Sequence, residues 1–139
     1  MRISTKGRYG LAAMLTIANA SKPLSALEIS ESLALSKIYL EQVFSMLKKA
    51  QLVESNKGSL GGYFLPRPLE EITVLEILQA TELALFEPTG SNGSTVAKAL
   101  EVTLEDKVYS KIDKCLKETL GAITLKELVN RPAENMFYI

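Results

Sequence analysis

Over residues 5–20, Tyr9, Leu11, Ala12, Met14, Leu15, Ile17 and Ala18 come too densely for a surface element, and the spacing predicts a largely buried first helix. Gly7 and Gly10 weaken its first turns and leave room for another backbone to approach. Lys22-Pro23 stops it. Ser25-Ala26-Leu27-Glu28 then reads as a capping box for a short second helix to Leu33, with Leu27, Ile29 and Leu33 on its buried side. Ala34-Leu35-Ser36 is a tight turn, and Ser36 is the N-cap of a third helix running from Lys37 to about Ala50. In that helix Leu40, Val43, Phe44 and Leu47 fall at i, i+3, i+4 and i+7, a single core-facing stripe. A hairpin over Leu52–Leu65 follows, with one short apolar run around Val53 and another from Tyr63 to Leu65. The stretch Ser55-Asn56-Lys57-Gly58-Ser59-Leu60-Gly61-Gly62 is its glycine-rich tip.

Pro66-Arg67-Pro68 ends strand pairing. Thr73-Val74-Leu75-Glu76 is a second capping box, opening a helix to about Glu82 with Ile77 and Leu78 inward. Residues 86–94 are loop by composition, and a longer helix spans at least Thr103 to Leu120. Leu104, Val108, Ile112, Cys115, Leu116 and Leu120 form its apolar stripe. So long a helix has little of its own chain to bury against, and the same helix of a second copy would satisfy it, giving a two-fold dimer. Packing within one chain is the competing account. Thr124-Leu125-Lys126-Glu127 caps a last short helix through Val129, and Pro132 precedes a tail that closes with Met136-Phe137-Tyr138-Ile139.

The predicted fold class is mainly α with a small β-hairpin wing: a winged helix-turn-helix followed by a long C-terminal dimerisation helix. The expected division is 1–82 for a DNA-binding domain and 83–98 for a regulatory loop. Residues 99–130 are the dimerisation helix with its short successor, and 131–139 are a tail.

The polar face of the third helix gives this outline its chemistry. It carries Lys37, Tyr39, Glu41, Gln42, Ser45, Lys48 and Lys49. Glutamine can pair bidentately with adenine, glutamate can accept from the cytosine amino group, and lysine can reach guanine or phosphate. A polar helix before a basic-tipped hairpin is the winged-helix pattern, with the helix in a major groove and the wing on backbone or minor groove. Ser36 stands where an N-cap hydroxyl or helix-end amides could also meet a phosphate. A merely solvated polar face would look similar. The charge distribution favours the first reading. Net charge is zero, yet residues 1–68 hold nine basic against four acidic residues, a balance of +5, and residues 69–139 balance at −5. A two-fold dimer would gather +10 on its N-terminal halves, suited to a polyanion whose binding falls with salt. It would also demand a near-palindromic site with half-sites about one helical turn apart or a multiple of it.

Other classes drop out on composition. The chain has no histidine and one cysteine, so His-based metal sites, Ser-His or Cys-His nucleophile pairs, an intrachain disulfide and a cysteine-held cluster lack their donors. The glycines of 58–62 lie in a hairpin and not between strand and helix, the wrong context for a nucleotide phosphate cradle. No enzyme is expected. With 47% apolar residues and a mean hydropathy of +0.11, a soluble globular protein is expected. No apolar run approaches the ~20 residues of a membrane span, and the basic start lacks a signal-peptide pattern, so the expected location is cytoplasmic.

Several stretches together are distinctive. Met1-Arg2-Ile3-Ser4-Thr5-Lys6-Gly7-Arg8-Tyr9-Gly10-Leu11, Tyr39-Leu40-Glu41-Gln42, and Lys57-Gly58 before Gly61-Gly62-Tyr63 occur in order, followed by Ile72-Thr73-Val74 and Ile123-Thr124-Leu125. Over essentially its whole length the chain resembles the bacterial winged-helix family that includes IscR, NsrR and CymR, and in type it is most similar to the cluster-free cysteine-metabolism repressors. The resemblance implies a homodimeric transcription factor on double-stranded DNA. Glu41 and Gln42 match the base-reading pair, Lys57 with Gly58 the wing tip, and Arg2, Lys6 and Tyr9 the N-terminal backbone contacts. Lys57 stands where the iron–sulfur regulator has arginine, and lysine lacks the planar fork suited to a narrow groove. Cluster-binding members carry three cysteines between the fourth and the long helix. Phe86 to Ser94 here has none, so no cofactor is expected, and Cys115 is expected as a small buried apolar residue.

The resemblance further implies a repressor of cysteine or sulfur metabolism genes, set by cysteine synthase or by a metabolite. Met136, Phe137, Tyr138 and Ile139 resemble the end of such a repressor and offer apolar anchors with a free carboxylate to a partner's pocket. The same four residues could equally fold onto their own dimer. Two alternatives stand beside this reading: an adaptor working mainly through that tail, and a repressor of an unrelated stress regulon.

Overall fold

A computed structural model of the chain describes residues 2–58, 61–88 and 93–129. Each N-terminal helix begins on a hydroxyl cap, which fixes where it starts. Ser4 accepts from the Gly7 amide to open α1 (Thr5–Ala18), and Ser25 and Glu28 close a reciprocal capping box on α2 (Ala26–Leu33). Ser36 accepts from the Tyr39 amide to open α3 (Lys37–Lys49). Between α2 and α3 the turn is made by Ala34 in the left-handed region at φ 54°, with the Leu35 amide donating to Ser30 O at 2.9 Å.

The antiparallel hairpin pairs β1 (Glu54–Asn56) with β2 (Gly62–Phe64), Ser55 opposite Tyr63. Leu52 and Val53 precede β1 and point into the core; the strand itself is exposed. A second box, Thr73 with Glu76, opens α4 (Val74–Thr81). Then come α5 (Thr95–Leu104), a π turn over Glu105–Tyr109, α6 (Ser110–Gly121) and α7 (Leu125–Val129).

The core gathers Met14 and Ile17 of α1, Ile29 of α2, and Leu40, Val43, Phe44 and Leu47 of α3. Leu52, Val53, Ile72, Ile77 and Leu125 complete it. Two pairings close the domain. Leu24 exchanges both backbone hydrogen bonds with Tyr63, extending the hairpin by one bridge. Thr73 bridges Thr124, with the Val74 amide on Ile123 O and the Leu125 amide on Ile72 O, both at 2.9 Å. The two Ile-Thr stretches of the sequence are therefore partners.

Gly62 makes the first of these pairings possible. It sits at φ +149°, and a Cβ there would lie 2.6–2.9 Å from the backbone atoms of Leu24. Gly62→Ala is expected to lower unfolding free energy by about 1–3 kcal/mol in a urea titration. An unchanged midpoint would show that the Leu24 bridge does not hold the wing.

Several sequence expectations are corrected. Leu27 is 52% exposed; the covered row of α2 is Ala26, Ile29, Ser30 and Leu33, and Leu27 stands about 100° off it. On α1 only Met14 and Ile17 of the named apolar residues are fully buried, with Ala13 added, while Tyr9, Leu11, Leu15 and Ala18 pack at the core's edge. What approaches Gly7 and Gly10 is not a backbone but the side chains of Glu82 and Thr81 at the end of α4.

The long helix starts at Thr95 on a Ser94 cap, so residues 95–98 belong to it and not to the preceding loop. Its helical run to Gly121 is about 40 Å long. The π turn, closed by the Ser110 amide on Glu105 O, adds a residue to the turn, and Tyr109 lies one turn before Ile112 on the same side of the helix. Cys115 is exposed on the single chain, because intrachain packing of α6 against α4 covers only the side bearing Leu116 and Leu120.

Candidate nucleic-acid interface

The apolar stripe that sinks α3 into the core dictates what the helix shows outside. With Leu40, Val43, Phe44 and Leu47 inward, the opposite row at the same spacing is Ile38, Glu41, Gln42 and Ser45, all exposed. Lys37 lies 3.8 Å from the Glu41 carboxylate, an exposed i,i+4 pair worth a few tenths of a kcal/mol and easily exchanged. Lys48 donates to Ser55 Oγ of β1 at 2.9 Å and so fixes the helix against the wing. Ser36 is committed to capping.

The wing is set by an aromatic stack. Tyr63 of β2 lies on Phe44 of α3, ring centroids 4.1 Å apart and nearly parallel. Burial, and then the nearby Glu41 carboxylate, raise the Tyr63 phenol above its ordinary pKa, so it stays protonated through the physiological range. Lys57 and Gly58 stand exposed at the tip, Gly58 in the left-handed region at φ +105° with its carbonyl accepting from the Gly61 amide.

A second aromatic contact joins the chain's start to α3. Tyr9 meets Tyr39 edge-to-face at 5.2 Å, so both are half-buried. Arg2 and Arg8 are exposed and Lys6 partly so. The Ser4 amide donates to the Glu82 carboxylate, tying the beginning of α1 to the end of α4. The predicted residues of the α1 start, the α3 face and the wing are thus linked by direct contacts. Arg67, counted among the basic residues of this half, belongs to the fold: it donates to Glu71 O at 2.6 Å and to Glu76 at 3.1 Å.

Sequence reading passed over Ile38, though the helical period that placed Glu41 and Gln42 puts it on the same row. It also missed the Lys48–Ser55 bond, which depends on how the hairpin folds back.

Away from α3, the predicted dimerisation residues Leu104, Val108 and Ile112 are exposed to 38%, 40% and 54%, and no residue of α5, the π turn or α6 is buried. Val96, Leu100 and Val102 are likewise exposed. Leu85, Phe86 and Pro88, in the expected regulatory loop, face Tyr109, Ile112 and Leu116 across a cleft of about 470 Å³. The tail residues Met136, Phe137, Tyr138 and Ile139 lie outside the described residues. Among the described residues no helix is long and apolar enough to cross a membrane.

A family model described as Rrf2, iron-dependent transcriptional regulator, matches residues 3–131. The HTH-type transcriptional regulator IscR of Xenorhabdus nematophila is 36% identical over 131 residues, 93% of this chain and 79% of that protein. The structure of CymR (YrzC), the global cysteine regulator of B. subtilis, matches with a TM-score of 0.73 at 34% identity, covering 93% of this chain and 96% of that one. T. potens IscR matches with a TM-score of 0.70 at 32% identity, covering 99% and 97%.

For the iron of the family description, the described residues bring no fitting donor set together. The sequence offers one thiol and no imidazole, and among the described residues no group of three or more Cys, His, Asp or Glu could hold a metal ion.

Proposed function

Because this chain belongs to the Rrf2 family of transcriptional regulators, we propose that it is a homodimeric, sequence-specific repressor on double-stranded DNA, working without an iron–sulfur cluster. The observation that carries this reading is the outward row of α3 around Gln42, set by Phe44 and Tyr63 beside a wing that ends in Lys57. Gln42 and Glu41 read base edges. Arg2, Lys6, Lys37, Lys57 and the backbone at Gly58 meet phosphates, with Tyr9 and Tyr39 holding the two helices in register. The bare apolar face of α5 and α6 pairs with its copy and sets two half-sites a helical turn, or a multiple of it, apart.

The test is a titration of the folded protein against the fragment upstream of its own gene. Affinity should drop on the order of a thousandfold between roughly 50 and 200 mM salt if six or more phosphates are neutralised per dimer. No complex with that fragment or any candidate operator at low salt sinks the reading.

The genes controlled are those of cysteine or sulfur metabolism. Likeness to the B. subtilis cysteine regulator and the missing cluster donors support this. The signal is a metabolite or cysteine synthase. The cleft between Phe86 and Tyr109 has the size for a small effector, and the Met136–Ile139 tail has the chemistry to enter an enzyme pocket. Genomic footprinting with and without cysteine tests the regulon. A pull-down with and without Phe137 to Ile139 tests the tail.

A further inference from the structure

We infer that Ile38 reads the 5-methyl group of a thymine in the major groove, next to the base contacted by Gln42; this rests on the DNA-binding reading above. Ile38 is the second residue of α3 and is 71% exposed, a large apolar side chain in the first turn after the Ser36 cap. Among the described residues nothing covers it. Glu41, Gln42 and Ser45 continue its row at i+3, i+4 and i+7, all exposed, and Lys37 adjoins it.

That setting argues against a protein contact. Interfaces between proteins gather apolar residues at a centre depleted of charge, and this chain has such a face elsewhere, on α5 and α6. Ile38 instead stands alone among hydrogen-bonding groups. A DNA major groove offers that mixture: donors and acceptors on every base pair, with the thymine methyl as its apolar feature. The first turn of a recognition helix is also the part that meets base edges. Ile38 and Gln42 lie one helical turn apart, about 6 Å, so both can address neighbouring base pairs. In a helix a β-branched side chain keeps essentially one χ1 rotamer, so its methyls are aimed before binding and little freedom is lost.

The experiment compares the upstream fragment synthesised with thymine or with uracil, which differ only by that methyl. Wild-type protein should bind the thymine fragment about tenfold more tightly, from one buried methyl in each of two half-sites. Ile38→Ser should bind both fragments alike, and Ile38→Val should keep most of the preference. Equal binding of both fragments by wild type, or an undiminished preference in Ile38→Ser, overturns this inference and leaves the DNA-binding reading intact. Failure of wild type to bind either fragment overturns both.

Discussion

Replacing Gln42 by alanine is expected to weaken operator binding by about 2–6 kcal/mol per dimer, because a bidentate base contact is worth about 1–3 kcal/mol and each copy supplies one. The fold should not notice. Gln42 is exposed, and the core beneath it is made by Val43, Phe44 and Leu47. The unfolding free energy of Gln42→Ala should therefore match wild type within about 0.5 kcal/mol. The measurement is anisotropy titration of operator and scrambled duplex at one fixed salt concentration. Loss confined to the operator assigns base readout to Gln42. An equal loss on both duplexes would make it a backbone contact, and no loss would remove α3 from the groove.

That an exposed glutamine can be singled out at all depends on how local the signals in this part of the chain are. The caps at Ser25, Ser36 and Thr73 are written within four residues, and the structure forms each of them. The inward row of α3 needs only the 3.6-residue period, and finding it fixes the outward row too. Ile38 went unassigned because reading polarity alone discards an apolar residue on a polar face. Leu27 failed for the opposite reason: it is apolar, but which side of α2 is covered is decided by α1 and α3.

What pairs with what over long distances was hidden. The Leu24 bridge to Tyr63 and the Thr73 bridge to Thr124 join residues far apart: Tyr63 was legible as part of the returning strand, but Leu24, Thr73 and Thr124 carry no strand pattern to announce a partner. The left-handed Ala34 turn was legible only as a turn, since glycine or asparagine would have marked its geometry. Nor does the sequence carry a mark for the π turn at Glu105–Tyr109: one inserted hydrogen-bond step alters the period without altering composition. The exposed state of Cys115 follows from the same cause as the long helix's bareness. An apolar stripe predicts burial, but whether its cover comes from the same chain or another is not in the stripe.

If the α5–α6 face forms the proposed dimer, Ile112→Lys should give a monomer of 15.2 kDa by light scattering and reduce operator affinity to that of a single half-site. Ile112 is 54% exposed in one chain, stands with Val108 on successive turns, and lines the cleft with Leu85 and Phe86 but is no part of the hydrophobic core, so the DNA-binding fold should survive its change. In a two-fold interface the same position recurs on the partner, so the substitution buries two like charges without counter-ions. Removing one partner of a buried charge pair costs about 3–5 kcal/mol, and two unpaired lysines on an apolar seam should cost at least as much. The binding consequence follows from linkage: two tethered half-site contacts act through a high effective concentration, and a monomer forfeits it. Residual binding should then have half the salt slope, since one copy's phosphate contacts remain. A variant that stays dimeric and binds normally would place the interface elsewhere. The unburied α5–α6 face would then need a different partner, and the half-site spacing expected from it would no longer hold.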